Sequence, residues 1–108
     1  GQSASVYATA TSIVDDPSTT IDVPAGGVCI GAGTVGNAVA IASWTGVTKQ
    51  YDGIQESLTT RTGGADTFAS AQTGLTVGYD ASANLQDTLV VASWGPAASA
   101  SRRVYVID

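Results

Sequence analysis

The chain has 108 residues, of which 12% are charged, and a net charge of −5. That length predicts one domain over residues 1–108, large enough to bury roughly two thirds of its unfolded surface without staples. The four basic residues, Lys49, Arg61, Arg102 and Arg103, are too few to neutralise a useful run of phosphates, so no nucleic-acid partner is expected.

Along the chain the apolar residues recur at a spacing of two, the period of strands, almost everywhere. Residues 6–11 read as a first strand and residues 19–23 as a second, closed by the turn Pro24-Ala25-Gly26-Gly27. Residues 28–34 form a third, and Gly36-Asn37 breaks it. Residues 38–44 are the most apolar run and predict a central strand covered on both faces. Residues 50–53 read as a turn, residues 57–62 as an exposed strand and residues 63–66 as a loop, with one helical turn at most within 52–58. Short strands follow at 67–72 and 75–79, split at Thr73-Gly74. A polar loop over 80–87 precedes a second buried strand, 88–94, which Gly95-Pro96 stops, and residues 103–107 form a last strand. Eight or nine short strands separated by turn residues predict an all-β, antiparallel sandwich of jelly-roll or Ig-like type.

Chemistry is sparse in this pattern. There is no histidine, and the single cysteine, Cys29, lies in the apolar run Val28-Cys29-Ile30, where a thiol behaves as a small buried hydrophobe. No base stands ready to activate a nucleophile, so an enzyme is not expected. Gly31, Gly33 and Gly36 spell Gly-x-Gly-x-x-Gly but lead to a strand, not to the helix whose N-terminus would hold a phosphate. Zinc lacks ligands, and no cofactor is expected. The run Asp80-Ala81-Ser82-Ala83-Asn84 starts like a calcium loop, but Leu85 and Val91 stand where glycine and a closing glutamate belong. Asp80, Asn84 and Asp87 are the weak metal candidates that remain, and Asp15, Asp16 and Asp22 form a similar group. No stretch is long enough to span a bilayer, so no membrane partner is expected.

Aromatic residues offer a binding chemistry instead. Ala42-Ser43-Trp44 and Ala92-Ser93-Trp94 each end a buried strand. Such indoles plug the end of a sandwich or form ring platforms near a rim. Trp44 and Trp94, with Tyr51 and Tyr79, are the candidate binding residues for a carbohydrate or cell-surface ligand, as in a tail-fibre or adhesin-like module.

Residues 19–34, Thr-Thr-Ile-Asp-Val-Pro-Ala-Gly-Gly-Val-Cys-Ile-Gly-Ala-Gly-Thr, resemble the opening of small β-sandwich domains in tailed-bacteriophage virion proteins. The stretch from Gly74-Leu75-Thr76-Val77 to Val90-Val91-Ala92-Ser93-Trp94 is similar to their closing half. The resemblance implies a virion location after assembly in the host cytoplasm. It also implies a capsid decoration or cement role, with the major capsid protein, other virion proteins or further copies of the chain as partners. It brings no catalytic residues. A surface rich in Ser, Thr and Ala costs little to desolvate and suits broad protein contacts.

Overall fold

The computed structural model of the chain describes residues 6–13, 16–36, 41–55, 59–81 and 87–96. Within them run eight strands and no helix: β1 (Val6–Ser12), β2 (Ser18–Val23), β3 (Gly27–Val35), β4 (Ile41–Thr45), β5 (Thr48–Gln55), β6 (Thr59–Phe68), β7 (Gln72–Ala81) and β8 (Asp87–Trp94). They form a five-stranded sheet ordered β1-β8-β3-β6-β5 and a three-stranded sheet ordered β2-β7-β4. Every ladder is antiparallel.

The pairs β1·β8, β2·β7 and β3·β6 are nested like the rungs of one long folded hairpin. This is the strand order of an eight-stranded jelly roll. Its departure is β5, which bonds to β6 and so widens the larger sheet instead of completing the smaller one beside β4. The Lys49 ammonium ties the two regions by donating to the Ile41 carbonyl at 3.4 Å.

The sheets face each other across a core of small β-branched residues. Ile21, Val23 and Val77 come from the three-stranded sheet; Cys29, Val35, Leu89 and Val91 come from the five-stranded one. Ser93 crosses the gap, its hydroxyl donating to the Asp22 carbonyl at 2.7 Å. A thin core of this kind has to make room for its two large rings, and glycines do so. A Cβ at Gly31 would come within 2.8 Å of the Trp44 ring, one at Gly64 within 3.0 Å of it, and one at Gly33 would overlap Tyr79. Gly31 and Gly33, two members of the Gly-x-Gly-x-x-Gly string, therefore work as seats for rings.

This explains several departures from the sequence pattern. Residues 63–66, expected as a loop, lie inside β6, because Gly63 and Gly64 serve side-chain packing and not a turn. Residues 50–53, expected as a turn, lie inside β5, where a bulge between Lys49 and Tyr51 absorbs the irregularity. Thr73-Gly74 sits within β7; Gly74 takes a left-handed φ of 67°, and its N–H donates to the Asp22 carboxylate at 2.8 Å. The reversal falls instead at residues 69–71, between β6 and β7. The predicted central strand at 38–44 is replaced by β4, which starts at Ile41 and lies at an edge of the smaller sheet. Residues 37–40, 56–58, 82–86 and the expected strand at 103–107 lie outside the described residues.

Candidate functional site

The four candidate aromatic residues fall on two different sides of the larger sheet. Trp44 and Tyr79 point into the core. Their ring centroids are 5.2 Å apart at a tilt of 38°. The Trp44 indole N–H donates to the Thr62 hydroxyl at 2.8 Å, and the Tyr79 hydroxyl donates to the Thr88 carbonyl at 2.7 Å. Burial first, then the Asp87 and Asp16 carboxylates, push the Tyr79 phenol well above its ordinary range. Neither ring is presented as a platform.

Tyr51 and Trp94 belong to the outer face of the five-stranded sheet. In β8 the residues Leu89, Val91 and Ser93 are buried, so the opposite parity, Thr88, Val90, Ala92 and Trp94, faces outward. Registration carries that parity across the sheet: Val90 pairs with Ala32 and Ala92 with Ile30, which in turn pair with Gly63 and Ala65 of β6. Gly63 is opposite Tyr51, whose ring lies so close over it that a Cβ there would overlap the ring. The result is a flat band of Val, Ile, Ala and Gly, ending in an aromatic ring on β5 and an indole on β8.

No described element packs on this band. Ile30 is 45% exposed, Val90 53% and Tyr51 55%. Between Tyr51 and Ile30 lies an open groove of about 170 Å³, floored by Gly63, Gly64 and Ala32. On β3, β6 and β8 the outward parity carries one charged side chain, Arg61, near the far end of β6. Apolar residues at both parities of β3 and β8 were the available sequence signal. One parity builds the core, and the other leaves an exposed face.

The acidic residues are arranged differently from the expected metal groups. Asp80 is exposed on β7, whereas Asp87 is fully buried at the start of β8, and Asn84 lies outside the described residues. Asp22 bonds to Gly74, at the end of β2 remote from Asp16. Asp16 instead meets Asp80: its charge, the hydrogen bond between the two carboxyls and slight burial raise the Asp80 pKa. Asp16 adopts a φ of 48°, accepts the Ala81 N–H at 3.0 Å, and is followed by Pro17, whose carbonyl accepts the Tyr79 N–H at 3.2 Å. These bonds strap the entry to β2 onto β7. Among the described residues, no three ligating side chains gather in a way that would hold a metal ion. Cys29 is fully buried, and burial pushes its thiol up to about 11, which keeps it protonated and inert.

No protein-family model matches the chain, and neither a curated protein nor a solved structure matches it.

Proposed function

We propose that this chain is a virion assembly module, a capsid decoration or cement subunit that docks through the outer face of its five-stranded sheet and catalyses nothing. The observation that carries the reading is the nearly uncharged outer band, in which Ile30 and Val90 are exposed and Ala92 and Trp94 half-buried. Burying such a band against a shell releases water from apolar surface and strands no charge. Contiguous exposed apolar surface on a soluble domain marks an interaction site. The likeness of residues 19–34 and 74–94 to tailed-phage virion domains supports the choice of partner, the major capsid protein or a neighbouring virion protein. The jelly-roll order is compatible with that choice but serves many functions, and carries no weight of its own.

The test is addition of the purified chain to particles of the virus that encodes it. Saturable binding at a fixed stoichiometry supports the reading. Absence from purified particles, together with failure to bind them, removes it.

One observation favours a second reading, a carbohydrate-binding module. The Tyr51 ring lies over Gly63 while remaining 55% exposed, beside an open groove, which is the arrangement a stacked sugar ring needs. Titration with a glycan array separates the two: this reading requires binding that Tyr51→Ala abolishes.

A further inference from the structure

The two sheets end in four edge strands, and three of these carry features that discourage pairing with another chain. β5 bears Lys49 and Asp52, joined at 3.3 Å, and a bulge between Lys49 and Tyr51. β4 has five residues, a bulge between Ile41 and Ser43, and an abrupt end at Gly46, whose φ of 86° brings it against the Thr76 carbonyl. β2 carries Asp22 and a bulge between Ile21 and Val23, and is followed by Pro24.

β1 differs. It is seven residues of Val, Tyr, Ala, Thr and Ser, with no charge, glycine or proline. Its irregularity is confined to its start, between Val6 and Ala8; from Ala8 to Ser12 the ladder is regular. Its inward residues Ala8, Ala10 and Ser12 are half-buried, whereas the β8 residues opposite them are fully buried. That difference places open solvent along the β1 flank. β2 packs against β1 from the other sheet but bonds to β7, and no described strand pairs with the free side of β1.

We propose that β1 is a strand-pairing edge and that its occupant is β1 of a second copy of this chain. The two strands run antiparallel across a two-fold axis and join two five-stranded sheets into one of ten strands. Identical antiparallel strands close under two-fold symmetry, so the contact ends at two copies and does not propagate. Centred on Thr9, the axis places Thr9 against Thr9, Ala8 against Ala10 and Tyr7 against Thr11 of the second copy. Threonine pairs directly opposite each other stabilise such ladders. Charge narrows the choice of edge as well. A chain with a net charge of −5 repels its own copy wherever acidic residues meet, and β1 and β4 are the two edges without any. Of these, β4 is short and bulged, whereas β1 is longer and regular from Ala8 onward. The pairing also makes the outer apolar bands of the two copies continuous. It does not depend on the virion reading and stands or falls by itself.

Sedimentation equilibrium of the purified chain, together with two substitutions at outward-facing Thr9, tests the proposal. The expected mass is twice the 10.7 kDa monomer. Thr9→Lys sets two ammonium groups against each other across the axis and is expected to give monomers with an unchanged far-ultraviolet spectrum. Thr9→Cys brings two thiols together on Cα atoms about 4.5–5.5 Å apart, within disulfide reach. It should crosslink under mild oxidation at least tenfold faster than Thr76→Cys on the other sheet. Buried Cys29 takes no part in this. A wild-type chain that stays monomeric at every soluble concentration overturns the proposal, as does a dimer that persists in Thr9→Lys. Equal crosslinking rates for the two cysteine variants also overturn it, and this readout decides even if the lysine variant fails to fold. Pairing of β1 with a different protein while the pure chain remains monomeric counts against it too.

Discussion

Trp44 and Tyr79 lean on each other at 5.2 Å, both reaching from the smaller sheet into notches left by glycines of the larger one. Gly31 and Gly64 receive the indole, and Gly33 receives the phenol. The two rings fill the space between the sheets over these glycines, which lie on the inward parity of β3 and β6.

Filling a notch is therefore costly. Gly33→Ala is expected to lower stability by about 1–3 kcal/mol, the usual cost of overpacking a fitted core, because its methyl group occupies the space of the Tyr79 ring. Gly74→Ala meets no atom within 4 Å, and its cost comes from the left-handed backbone alone. Thermal melts of the two variants beside wild type check the contrast: Gly33→Ala should be the larger loss.

The inter-sheet bond of Ser93 makes a separate prediction. Ser93→Ala removes the 2.7 Å bond to the Asp22 carbonyl and is expected to cost about 1 kcal/mol, visible as a lower midpoint in urea with an unchanged slope.

The Asp16–Asp80 pair predicts a pH dependence. The Asp80 pKa is raised in the folded chain above the ordinary aspartate value of about 3.9. Between those two values the folded state binds more protons than the unfolded one, so the contribution of Asp80 is fully present below the unfolded pKa. It is lost as pH rises through the folded pKa. Asp80→Asn removes the repulsion. It is expected to raise the melting temperature at pH 7 and to leave it near wild type at pH 4, and melts at the two pH values measure this.

Cys29 is expected to resist labelling. With the thiol buried and its pKa near 11, a thiol reagent should leave the native chain unmodified and label it only once denaturant opens the sheets. Rapid labelling without denaturant would show that the sheets part readily.

The sandwich itself was legible because short runs such as 19–23, 28–34 and 88–94, rich in β-branched residues and bounded by Gly and Pro turns, leave few alternatives to strands. The middle of the chain was less legible for a physical reason. Gly63, Gly64 and Gly74 read as breaks, although the first two receive side chains from other strands, and no local pattern announces a long-range contact. The fates of Trp44 and Trp94 were also hidden. Both end an Ala-Ser-Trp run, yet strand pairing turns one into the core and the other onto the outer face. The outer face was half visible, since apolar residues at both parities of residues 28–34 and 88–94 mark two apolar surfaces. The sheet order leaves one of these surfaces without a covering element among the described residues.

The most direct test of the assembly face is a comparison of wild-type and Ile30→Lys/Val90→Lys chains for binding to purified particles. Both positions are exposed, so the double variant should keep its melting temperature to within a few degrees. If the outer face docks the chain, wild type saturates the shell at a fixed ratio and the folded double variant fails to bind. Equal binding by the two would contradict the account, as would no binding by either.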